Sequence, residues 1–259
     1  MNAVVIAGGT PPPEDPLYPY TQGQSKALLD VAGKPMLQWV LDALSGARTV
    51  TSVTLIGPAA AHGMPCWKPV HYLPEQQGLL ANVQAGIREV AQREPAAGHV
   101  LIVSSDIPGI TPEMVDWRVE AALDSESDFD YAVVERRVME ARFPGSNRSY
   151  VPLRDAEVCG GDMNVVRAAT VADERLWQRL VDARKSALRQ AALLGFDTLF
   201  LLLTRRLTLA QAERMASKRL GLQGKVRLAP YAEIAMDVDK PHQLELMRRH
   251  LAQRAAPSS

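Results

Sequence analysis

The chain has 259 residues, 47% hydrophobic and 22% charged, with Lys plus Arg equal to Asp plus Glu at 29 each. Such a balance argues against wrapping nucleic acid or lying on anionic lipid, and the longest strongly apolar run, at residues 199–203, is far too short to span a bilayer. Two cysteines, Cys66 and Cys159, give no disulfide framework and no zinc spacing. With no basic, cleavable-type leader at the N-terminus, they predict a cytoplasmic protein.

The first half alternates strand and helix. Residues 3–9, AVVIAGG, are a continuous apolar run ended by two glycines, the pattern of a strand buried on both faces of a parallel sheet. A proline-rich loop over residues 10–25 follows. Met36, Leu37, Val40, Leu41 and Leu44 recur at helical spacing, with Pro35 in the first turn and Gly46 as terminator. Further strands are predicted at residues 52–57, 99–109 and 130–137. One helix opens near Gly78. Another opens at Thr111-Pro112, where threonine caps and proline takes the first helical position. The alternation predicts an α/β fold, a three-layer α/β/α sandwich around a mostly parallel, mixed central sheet.

The second half is less regular. Residues 149–168 read as a hairpin turning near Asp155-Ala156. Residues 173–195 and 208–220 read as helices, with 197–204 packed between them. Residues 225–230 read as a strand, and 232–253 as a strand, a polar turn and a helix from Pro241. Trp39, Trp67, Trp117 and Trp177 read as packing residues rather than a stacking platform. The five histidines show no metal spacing.

Glycine directly after a buried strand lets a ligand reach the backbone, because no Cβ intervenes. The ends of such strands are where open α/β sheets bind ligands. Gly8-Gly9 fits neither G-x-G-x-x-G nor G-x-x-x-x-G-K-[ST], so neither a nicotinamide dinucleotide site nor a P-loop follows. Lys26, beyond the loop, suits a mobile point charge on a polyphosphate.

VVIAGG followed by KALLDVAGKPMLQWVLDAL resembles the N-terminal signature of nucleotidyltransferases with a GT-A-type fold, the MobA-like NTP transferases. The resemblance implies that Ala7, Gly8, Gly9 and Lys26 hold the triphosphate, and that Gly33-Lys34-Pro35 opens the next helix. PEQQGLLANVQAGI is similar to the base-reading segment, which makes Gln77, Gly78 and Asn82 nucleotide-binding residues. VLIVSSDIPGIT resembles the strand that ends in a metal-binding aspartate, here Asp106, with a catalytic role beside Lys26. MDVDKPHQLELM resembles the C-terminal turn that supplies a second metal ligand, Asp239, with Asp237 as its rival. EVCGGDMNVV resembles the strand near the acceptor and implies acceptor contacts from Gly161 and Asn164, joined by Glu135 at the end of YAVVE. Arg136, Arg137, Arg142 and Arg148 lie near this acceptor lobe and suit an anionic substrate.

The implied activity is Mg²⁺-dependent transfer of an NMP from an NTP to a phosphorylated or hydroxyl-bearing small acceptor, with pyrophosphate released. The alternatives are a GT-A glycosyltransferase that uses a nucleotide-sugar, and a non-catalytic nucleotide-binding protein. One domain is expected over residues 1–252, with a nucleotide-binding half to about 135, an embedded acceptor lobe over about 136–233, a return strand and helix over about 234–252, and a disordered tail from 253. Nucleic acid and membrane are not expected partners, and a homodimer is allowed. The chain departs from the family where a G-x-R step is usual. TPPPEDPLYPYTQGQS stands there with no arginine, and its prolines suggest a semi-rigid lid.

Overall fold

The computed structural model describes residues 1–178, 201 and 204–255. The predicted helix over 173–195 and the stretch 197–204 fall largely outside these residues, as do residues 256–259 of the tail.

β1 (Asn2–Ile6) is buried along its whole length and pairs in parallel with β4 (Ser52–Ile56) and β6 (His99–Ser104). Its side chains alternate between two apolar clusters, Ala3 and Val5 in one, Val4 and Ile6 in the other. Alternation between two buried faces is why the run contains no polar break. α2 (Met36–Gly46) covers the first face with Met36, Leu37, Val40, Leu41 and Leu44. α3 (Leu79–Arg93) packs on the other through Ile87 and Val90. Gly86 is required there, because a Cβ would run into Val4 Cγ1. These helices on opposite faces make the three-layer sandwich that the sequence predicts.

The main sheet has nine strands in the order β5-β4-β1-β6-β10-β7-β9-β8, with β11 also paired to β7. Here β5 is Val70–Leu73, β7 Phe129–Glu135, β8 Val151–Pro152, β9 Glu157–Gly160, β10 Met163–Arg167 and β11 Gly224–Ala229. β10 runs antiparallel between β6 and β7, which makes the sheet mixed. A small second sheet joins β2 (Asp30–Val31) to β3 (Lys34–Pro35).

Several local expectations change. The hairpin turns at Asp155-Ala156 as predicted, with Pro152 opposite Glu157, but β10 leaves it to fill the gap beside β6. β5 and α5 (Arg136–Arg142) were not read from the sequence. α5 starts where the predicted strand was to continue. Pro35 ends β3 and precedes α2 rather than lying in its first turn. Gly46 stays within α2, where a Cβ would approach Pro112 Cγ to 2.7 Å, so it serves contact with α4 (Pro112–Leu123) rather than termination. The helix expected over 208–220 forms as α6 (Leu209–Leu220), with Thr208 and Gln211 capping each other's backbone. Ala232–Ala235 form a 3₁₀ turn instead of a strand. The final helix α7 (Pro241–Ala255) extends into the predicted tail. Trp67 is 92% exposed, unlike the buried Trp39 and Trp177.

The chain goes from β1 to β4 and β5 on one side, while β6 lies on the other. The crevice beyond the ends of β1 and β6 is therefore the switch point where a doubly wound sheet opens for ligands.

Candidate active site

The loop after β1 returns to its own start. Lys26 N donates to Gly9 O at 3.4 Å, and Ser25 Oγ donates to Ala7 O at 3.3 Å. Buried Leu17 anchors its middle, just before the short helix α1 (Tyr18–Thr21). A compact loop with joined ends is an Ω-type arrangement. It brings Lys26 back beside Gly8 and Gly9. Ala7 is fully buried, and its N–H donates to Ile56 O at 2.7 Å. Gly9 has φ +104°, a conformation that side chains rarely tolerate. A Cβ on Gly8 would lie 2.7 Å from the Glu75 carboxyl, so the segment before α3 lies against the glycines.

Lys26 Nζ sits 2.6 Å from Asp106 Oδ2 and 2.6 Å from Asp239 Oδ1. Asp106 follows β6, and Asp239 lies 213 positions from Lys26 in sequence. The structure thus brings together three of the residues singled out from sequence. Burial lowers the affinity of Lys26 for its proton, but the two carboxylates outweigh it and hold the ammonium above its ordinary value. Asp237 instead forms an ion pair with Arg148.

The segment containing Asp239 also fixes the acids. Val238 N donates to Asp106 O at 2.9 Å, and Asp162 N donates to Ile234 O at 2.9 Å. Asp162, between β9 and β10, is the residue that sequence reasoning passed over. Its neighbours Gly161 and Asn164 drew attention, although an acid after two glycines was itself a signal. Burial, then the charge of Asp106, pushes its carboxyl up to about 7. Its Oδ2 and Asp106 Oδ1 are buried without hydrogen-bond partners.

The folded chain therefore holds the Asp162 proton more tightly than the unfolded chain, where aspartate titrates near about 4. Stability from this group is complete below that value and is lost as pH rises from about 4 to about 7. Melting of the metal-free protein across this window is expected to show the loss, and Asp162→Asn is expected to flatten it. Identical pH profiles for the two proteins would remove Asp162 as the cause.

The other predicted residues divide. Gln77 and Gly78 are exposed at the start of α3, with Gly78 at φ +100°. Asn82 is buried and accepts Gln76 N–H at 2.6 Å, so it braces the backbone beside them. Asn164 is committed to main chain: Oδ1 accepts Ala132 N–H at 2.9 Å and Nδ2 donates to Gly161 O at 3.0 Å. Gly161 packs close to Ala132 and Ile234. Glu135 lies in a separate surface cavity with Arg136, Arg137, Glu140 and Glu157, where Arg137 binds it at 2.6 and 2.9 Å. Arg136 pairs with Glu157, and Arg142 with buried Glu233.

Among the described residues, no three His, Cys, Asp or Glu side chains stand close enough to hold a metal ion alone, and no helix is long and apolar enough to cross a membrane. The donors that do converge, Asp106 and Asp239, are hard carboxylate oxygens, and one Asp106 oxygen lacks a partner. This set fits Mg²⁺, which takes one or two carboxylates and completes its shell with phosphates and water.

A molybdenum cofactor guanylyltransferase from Rhodopseudomonas palustris (strain HaA2) is 31% identical over 134 residues, which is 50% of this chain and 58% of that protein. The chain thus matches little more than half the length of this curated relative. A hypothetical transferase from Thermus thermophilus superposes with a TM-score of 0.82 at 33% identity, over 94% of this chain and 98% of that one. A 2-C-methyl-D-erythritol 4-phosphate cytidylyltransferase, also from Thermus thermophilus, shares the fold at TM-score 0.56 and 18% identity, over 97% of this chain and 98% of that one. Residues 3–227 match the MobA-like NTP transferase domain, and the chain belongs to that family.

Proposed function

We propose that the chain transfers an NMP from an NTP to a small-molecule acceptor, with Mg²⁺ as cofactor. The observation that carries this reading is Lys26 bridging Asp106 and Asp239 at 2.6 Å each, beside the glycines at the sheet's switch point. A lysine held between two acids is poised to exchange them for phosphate oxygens. Asp106 and Asp239 would then hold Mg²⁺, which supplies charge neutralisation at the phosphates. Lys26 moves its charge onto the triphosphate, and the backbone at Gly8 and Gly9 approaches the phosphates closely. Gln77 and Gly78 face the base, with Asn82 holding their loop in place.

An acceptor oxygen forms a bond to the α-phosphorus, the bridging bond to the β-phosphate breaks, and pyrophosphate leaves. The proteins of this reaction class act mainly by positioning and charge. Residues 136–233 form the acceptor half in this reading. Because the Asn164 amide is committed to the backbone, Asp162 beside it takes the place of a polar acceptor contact, with Gly161 allowing close approach. Glu135, paired with Arg137, is the weaker candidate.

GTP is the first nucleotide to test, since the curated relative is a guanylyltransferase. With Mg²⁺ present at saturating GTP, the native state is expected to gain roughly 3 kcal/mol at a hundred times Kd. Asp106→Ala is expected to remove the Mg²⁺-dependent part. The measurement is a thermal-shift series with the four NTPs, followed by pyrophosphate assay on an acceptor panel. No stabilisation by any NTP, or release of NDP from nucleotide-sugars, would overturn the reading.

A further inference from the structure

A cavity of about 310 Å³ lies on the α3 face of the sheet, next to the acids. Ile6, Ile102 and Val166 line it from the sheet, Leu80 and Val83 from α3, and Trp177 from beyond β10. Its volume is at the small end of the range for small-molecule sites. It adjoins the cluster through shared chain. Ser104 and Asp162 both line it, Ser104 lies two positions before Asp106, and Ser104 N donates to Asp162 O at 3.0 Å.

The polar groups of the lining are mostly used within the protein. Asp128 pairs with Arg167 at 2.9 Å and accepts Gln223 N–H at 2.8 Å. Thr170 Oγ1 donates to Arg167 O, and the Trp177 indole donates to Thr170 O. Asn164 is spent on the backbone. Asp162 differs, because its Oδ2 is buried with no partner. An apolar chamber with one unused acceptor at its edge suits a ligand with an apolar body and one hydrogen-bond donor. A phosphate at that edge would meet the carboxylates of Asp162 and Asp106. Arg148, a nearby cation, is already paired with Asp237.

We propose that the acceptor is an apolar alcohol, its body seated in this cavity and its hydroxyl donating to Asp162. The inference rests on the nucleotidyl-transfer reading above and narrows its acceptor to a hydroxyl compound rather than a phosphate ester.

The probe is 2-naphthol, titrated calorimetrically into the full chain, with 2-naphthyl phosphate as the anionic comparison. Wild type is expected to bind 2-naphthol and to bind the phosphate at least about tenfold more weakly, as a site built for one polar group rejects the wrong one. Val83→Phe and Leu222→Trp reduce the cavity from two different elements, and each is expected to weaken 2-naphthol by at least about tenfold. Asp162→Ala removes the acceptor without filling the chamber and is expected to weaken it too. Absence of naphthol binding, tighter binding of the phosphate, or indifference to the variants that fold would overturn the proposal. Wild type that binds an NTP but not 2-naphthol counts against the cavity alone. Wild type that binds 2-naphthol at this site but no NTP supports the cavity and counts against nucleotidyl transfer.

Discussion

Lys26→Ala is expected to lower pyrophosphate release by roughly a thousandfold, the scale of losing one preorganised charge at a developing anion. Lys26 is the ammonium that the structure places at 2.6 Å from both Asp106 and Asp239. The loop that carries it, residues 10–25, contains no arginine to substitute. Alanine therefore removes the charge meant for the phosphates and leaves two carboxylates facing each other. Lys26→Arg is expected to recover only part of the rate, because a planar guanidinium does not move as a compact point charge. The measurement is a single-turnover pyrophosphate assay beside a melting curve. Near-wild-type turnover in a folded Lys26→Ala protein would remove Lys26 from the mechanism.

Asp130→Ala is expected to destabilise the fold by about 3–5 kcal/mol, the cost of stripping the partner from a buried charge. The Arg118 side chain is fully buried, and its Nη2 donates to Asp130 Oδ1 at 2.7 Å. Its Nε donates to Met163 O at 2.9 Å, which ties α4 to β7 and β10. Arg227 of β11 binds the other Asp130 oxygen at 2.8 Å. One carboxylate thus joins a helix to three neighbouring strands. Its removal leaves Arg118 charged and dry, and burial already lowers the pKa of that guanidinium. Chemical denaturation of wild type and Asp130→Ala measures the difference, and a loss below about 1 kcal/mol would show the pairing to be dispensable.

These two residues were unequally visible in the sequence. Lys26 stood out because it follows a strand-glycine loop and precedes a helix, features within one short segment. Asp130 looked like an ordinary strand residue. Its importance comes from Arg118 and Arg227, which reach it from elements far along the chain. Asp162 shows the same limit at the site. Its acidity is set by burial and by Asp106, which lies on another strand. Asn164 was read as a ligand contact because amides suit that task, but the antiparallel insertion of β10 places it against Ala132 and Gly161 instead. The Ala232–Ala235 segment has the apolar continuity of a strand, yet it packs as a 3₁₀ turn whose backbone, with the residues after it, holds Asp162 and Asp106.

By itself the sequence determined the alternating first half, the glycine loop, the helix starts at Gly78 and Thr111, and Lys26, Asp106 and Asp239 as residues to watch. Hydrophobic period, capping and short motifs act over a few residues, so they can be read in one dimension. The tertiary structure decided which distant groups meet: Lys26 with Asp239 across 213 positions, Asp237 with Arg148, and Asp162 at the edge of an apolar cavity. It also decided where β10 inserts and which faces lose water. Those outcomes depend on register and desolvation, which arise only when the whole chain packs.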